Sequence, residues 1–99
     1  MKELYYNKQG KVITREKWAK LMEDFEFKVV EQSILSNGLY VSTVWLGLNH
    51  QFGKGDPLIF ETMVFPNKGT WLEQDCVRYS TLKEAQAGHK ELVKKYENS

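Results

Sequence analysis

Two runs crowded with β-branched and aromatic residues, Leu39–Leu46 and Leu58–Phe65, dominate the hydrophobic pattern of the chain and predict strands. Each splits into two faces, neither of them polar. Tyr40, Ser42, Val44 and Leu46 stand against Leu39, Val41, Thr43 and Trp45. Likewise Ile59, Glu61, Met63 and Phe65 stand against Leu58, Phe60, Thr62 and Val64. Strands apolar on both sides need cover on both sides. A strand over Phe27–Leu35 precedes them, and Asn37-Gly38 predicts a hairpin between it and Leu39. The expected turn is type I′, in which both central residues take positive φ. Cys76–Tyr79 predicts a short fourth strand.

Helical periodicity flanks these strands. Thr14 is placed to cap a helix from Arg15 to about Phe25, with Trp18, Leu21, Met22 and Phe25 on one face. Thr81 and Glu84 form a capping box for a second helix, whose Leu82, Ala85, His89, Leu92 and Tyr96 make a narrow stripe. Gly88 interrupts that helix at a cost of roughly 1 kcal/mol relative to alanine, which close approach to the sheet would explain. Leu4–Tyr6 forms a short strand or arm before the turn Asn7-Lys8-Gln9-Gly10. The expectation is one α+β domain over residues 1–99, an antiparallel sheet of about four strands with a helix before and after it. Two short helices cover one face, so the other is expected to meet a second copy, giving a homo-oligomer.

Composition narrows the function classes. At 99 residues, 41% hydrophobic and 27% charged, the chain can bury a core and is not of disordered type. A net charge of +1 gives no general attraction to nucleic acid or membranes, and no basic stripe accompanies the aromatics. The single cysteine, Cys76, leaves no internal disulfide, and no CxxC or Cys/His cluster offers a zinc site. Neither a metal nor a cofactor is expected. The opening MKELYYNKQG lacks a signal-peptide core and no apolar run has membrane-spanning length, so the expected location is the cytoplasm.

Candidate chemistry starts with Glu61, a carboxylate inside an apolar strand, which must be exposed, paired or used. His89 occupies a position in the helical stripe where leucine would be expected. Together they would form a His–carboxylate pair, the working unit of acid–base chemistry. The plainer explanation for His89 is a histidine satisfied by hydrogen bonds. His50 would complete a two-His, one-carboxylate set, yet no HxxxH or HExxH spacing supports it, and a solvent-exposed loop histidine is the expectation. Arg78, Ser80 and Thr81 lie where a strand enters a helix N-terminus and could hold an anion, against the plainer view of a capping turn. Ser42, Thr43, Asn49, His50, Glu61, Thr62, Arg78 and His89 are expected to converge on one polar pocket. Trp71, Tyr5 and Tyr6 are the candidate contact aromatics, while Trp45 belongs to the core.

The segments VSTVWLGLNHQFG, PLIFETMVF and RYSTLKEAQAGH resemble those of a family of small uncharacterised proteins encoded mainly by bacteriophages and prophages. GKVITREKWAKLMEDFEFKVVEQ is similar to that family's N-terminal half. The resemblance implies context: an accessory protein in the host cytoplasm that blocks a host protein or sequesters a small signal molecule. The expected function is therefore non-enzymatic binding of a small anionic, nucleotide-derived ligand. Arg78 with Ser80–Thr81 would meet the anion, while Glu61, His89, Thr43 and His50 would supply the polar surroundings. The alternatives are a protein inhibitor acting through Trp71, the Tyr5–Tyr6 arm or a sheet edge, and a small hydrolase or nuclease using Glu61 and His89. The last has no nucleophile, metal motif or oxyanion signature.

Overall fold

The computed structural model describes residues 4–51, 53–70 and 72–97. Thr14 accepts the Lys17 N–H and caps α1, Arg15–Met22. This helix is shorter than its periodicity suggests, because Asp24 accepts the Phe27 N–H and caps a separate turn, α2, Phe25–Lys28. The first strand accordingly begins at Val29. The strands are β1 Val29–Ile34, β2 Tyr40–Trp45, β3 Phe60–Phe65 and β4 Asp75–Tyr79, followed by α3, Leu82–Glu97. They form an antiparallel meander in the order β1-β2-β3-β4, the α+β arrangement expected.

The β1–β2 hairpin is present but its turn differs from expectation. Gly38 has φ of 91°, whereas Asn37 does not take positive φ. Gly38 N–H donates to Leu35 O and Leu35 N–H to Leu39 O, which closes a three-residue loop over Ser36, Asn37 and Gly38. Asn37 stays out of the left-handed region because its side chain is used twice: Oδ1 accepts from Leu39 N–H, and Nδ2 donates to Tyr96 O at the end of α3.

Side-chain alternation divides the sheet into two unlike faces. On one, Val41, Thr43 and Trp45 of β2 lie opposite Val64, Thr62 and Phe60 of β3, and all six are buried. Helix α3 packs across all four strands on this side. Its Ala85 joins Trp45, Ile59 and Phe60, with Trp18, Leu21, Met22 and Phe27 packed around them, and its Leu92 joins Leu35, Val41 and Val64. Phe27 meets Trp45 edge-on at 5.2 Å. Gly88 lets α3 approach β4, since a Cβ there would collide with the Tyr79 hydroxyl and ring. The other face carries three cross-strand rows. These are Ile34-Tyr40-Phe65, Gln32-Ser42-Met63-Cys76 and Val44-Glu61-Arg78. Among the described residues no helix lies across it.

Between β2 and β3, the described residues 46–51 and 53–59 form a loop held by its own hydrogen bonds. Leu46 and Gly47 N–H both donate to Ile59 O, His50 N–H donates to Leu58 O, and Asn49 Oδ1 accepts from the N–H groups of Gln51 and Leu58. The N-terminal arm docks on this loop through Tyr6 N–H to Gly47 O and Asn49 N–H to Leu4 O.

Candidate functional site

The residues expected in one pocket are sorted by the fold into three places. The first is the interior under α3. His89 is fully buried, with Nδ1 at 2.7 Å from Thr43 Oγ1 and Nε2 at 2.9 Å from Ser33 Oγ. Thr43 is hydrogen-bonded in turn to Thr62 on β3. The chain of groups reaches the surface at Glu31, whose carboxylate lies 3.6 Å from Nε2. Burial lowers the His89 pKa below its usual 6.5, and the Glu31 charge opposes that shift. A neutral imidazole can satisfy one hydroxyl as donor and another as acceptor, so this group joins helix to sheet while remaining uncharged. At the far side, the Tyr79 hydroxyl is buried without a hydrogen-bond partner among the described residues. Its pKa is raised chiefly by desolvation, with the nearby Thr62 hydroxyl pulling the other way.

The second place is the opposite face, where Glu61 lies. The expected Glu61–His89 pair is therefore not formed. Thr62, one residue on, points to the Thr43–His89 side, and a strand's period of two sends Glu61 away from it. Glu61 is 7% exposed and accepts from Arg78 Nε at 3.2 Å, with Cys76 Sγ at 3.7 Å. Its direct cross-strand partner is Arg78, so the ion pair follows from register. Desolvation and the Glu61 charge push the Cys76 thiol up, which leaves it a poor nucleophile at neutral pH. Arg78 thus faces away from the start of α3 and away from Ser80 and Thr81 as an anion site.

The third place is a cleft of about 190 Å³ at the junction of β4 and α3, lined by Tyr6, Gly10, Asp56, Pro57, Ile59, Ser80 and Thr81. Thr81 and Glu84 form the expected capping box: Glu84 N–H donates to Thr81 Oγ1, while Thr81 N–H and hydroxyl donate to Glu84 Oε1. Those groups are spent on the helix. Among the described residues the Tyr6 and Ser80 hydroxyls and the Asp56 carboxylate carry no hydrogen bond of the fold. Tyr5, next to the cleft in sequence, packs on Trp18 at 4.8 Å, so the Tyr5–Tyr6 arm lies against its own chain.

His50 stands apart from all three places, half-buried in the β2–β3 loop instead of exposed, and held by its backbone. Trp71 lies outside the described residues. Among the described residues no three His, Cys, Asp or Glu side chains gather in a metal-holding group, and no helix is long and apolar enough to cross a membrane. Sequence reasoning missed Glu31 and Ser33 as the partners of His89, and Asp56 as the carboxylate of the cleft. Comparison with family models, with curated proteins and with solved structures finds no match for this chain.

Proposed function

We propose that the chain is a non-enzymatic binding protein that takes the hydroxylated ring of a small nucleotide-derived ligand in the β4–α3 cleft. The supporting observation is that Tyr6, Ser80 and Asp56, whose hydroxyls and carboxylate carry no hydrogen bond of the fold among the described residues, line one cleft with Pro57 and Ile59. A volume of about 190 Å³ falls below the roughly 300–1,000 Å³ of sites that enclose a whole drug-sized ligand. It suits one ring, such as a ribose. Asp56 accepts hydrogen bonds from vicinal hydroxyls and repels phosphate, so the charged part of the ligand stays in solvent. The separation of Glu61 from His89 removes the acid–base pair that hydrolysis would need.

Thermal melts against ribose, ADP-ribose, mononucleotides and cyclic nucleotides test this assignment. A ribose-bearing ligand at a hundred times its Kd stabilises by about 2.7 kcal/mol, which for a domain of this size raises Tm by about 11 °C or more. Asp56→Ala and Ser80→Ala lie at the surface and are expected to keep the fold while removing that rise. A flat response over the whole panel refutes the assignment.

A second function, inhibition of a host protein by surface contact, is favoured by one observation. Ile34 is 63% exposed at the end of the Ile34-Tyr40-Phe65 row on the uncovered face. The likeness to phage-encoded proteins supplies the cellular setting for either function.

A further inference from the structure

We infer that the face of the sheet that no described helix covers is a two-fold interface with a second copy of this chain, independently of what the cleft binds. Its three rows hold Ile34, Tyr40, Val44, Met63 and Phe65 with small or uncharged polar neighbours, and Tyr40 and Phe65 stack with ring centroids 6.0 Å apart. The only charges in these rows are Glu61 and Arg78, and they neutralise one another at 3.2 Å. That pairing selects the occupant. A partner of strong charge finds no unpaired charge in these rows to answer it, whereas a two-fold contact requires a surface that does not repel itself. Depletion of free charge with aromatic and methionine enrichment is also the make-up of interface centres.

Packing follows from the sheet. With the two-fold axis along the strands, the Ile34-Tyr40-Phe65 row meets the same row of the second copy, and large residues face the gaps beside Ser42 and Cys76. The sheets then stack about 10 Å apart, giving four layers with the helices outside. A mainly apolar groove of about 180 Å³, lined by Met22, Phe25, Val29 and Val44 together with Gln32 and Lys28, extends the surface at one end. Four strands about 4.8 Å apart and some 20 Å long present a plane of roughly 400 Å² per protomer. Side-chain relief and the groove bring the total burial toward about 1,200 Å², the small end of specific interfaces. Association in the micromolar range is the consequence.

Sedimentation velocity or light scattering on the full chain, from about 1 µM to about 500 µM, is expected to show the mass rise from 11.6 kDa toward twice that value. Ile34→Lys, at an exposed position, and Met63→Glu, at the centre of the face, are each expected to weaken the dimer at least about tenfold. Circular dichroism is expected to stay unchanged for Ile34→Lys, so the reading survives even if Met63→Glu fails to fold. The mass of one chain at about 500 µM overturns the inference and returns the face to the inhibitor function. A dimer unaffected by Ile34→Lys and by a folded Met63→Glu overturns it as well, by placing the contact elsewhere.

Discussion

Gly47→Ala is expected to destabilise the protein by about 3 kcal/mol or more, lowering Tm by about 12 °C or more. Two independent costs meet at this position. Its φ of 69° lies in the left-handed region, where an L-residue with a Cβ loses roughly 1–2 kcal/mol. The added methyl would also stand 2.6 Å from Trp18 Cδ1 and 2.8 Å from Trp45 Cε2, and against the rest of the Trp45 ring. Neither indole can yield easily. Trp45 is fully buried, and Trp18 is tethered by Nε1–H to Leu46 O at 2.9 Å. Gly47→Asn separates the two terms, because asparagine tolerates the backbone but keeps the collision. Urea unfolding is expected to show Gly47→Asn still strongly destabilised. Full recovery in that variant would assign the whole effect to backbone conformation.

His89→Ala is expected to cost about 3–4 kcal/mol, since it opens a cavity and removes the hydrogen bonds from the imidazole to Thr43 and Ser33. His89→Leu fills most of the space but loses both imidazole hydrogen bonds, at a cost of about 2 kcal/mol. The pH dependence has a definite sign. Above the usual histidine pKa of 6.5 both folded and unfolded states hold a neutral imidazole, and stability is at its plateau. As pH falls below that value the unfolded chain takes a proton that the buried ring resists, so stability drops with acidity until the depressed folded pKa is passed. His89→Leu abolishes this drop. A second fall remains at lower pH, below 3.8, where Asp75 loses the hydrogen bond from Tyr96 and the contact with Lys95 that hold its pKa down. A His89→Leu protein with the same stability profile between pH 7 and 5 would refute the latch role.

The elements were legible because their signals are local. β-Branched and aromatic content placed β2 and β3, the Thr81–Glu84 capping box placed α3, and the break at Gly88 announced a close approach to the sheet, which is made at Tyr79. The separation of Glu61 from His89 was legible too, in the alternation of Glu61 and Thr62 along one strand, once Thr43 and Thr62 are put under the helix. The β1 partners of His89 were not. A two-residue Asn37-Gly38 turn would set Leu35 opposite Tyr40, whereas the three-residue loop sets Ile34 there. One residue of register exchanges the faces of a whole strand, and so Glu31 and Ser33, instead of Gln32 and Ile34, look at α3. The Asn37 side chain of that loop reaches Tyr96, a contact across most of the sequence that no local pattern carries. Asp24 was a legible cap, hidden by the apolar periodicity that runs on to Phe25. Asp56 reaches the cleft through loop geometry, for which the sequence has no period.

The central claim is that the imidazole under α3 and the carboxylate on the far face are separate, the first holding the fold together and the second neutralising its own arginine. Imidazole nitrogen NMR through a pH titration, on the natural chain and on Glu61→Gln, measures this most directly. The predicted result is a His89 ring that stays neutral below its usual titration range, with the same midpoint and the same nitrogen shifts in both proteins. A ring that titrates near pH 6.5, or one whose midpoint moves when Glu61 becomes glutamine, would contradict it.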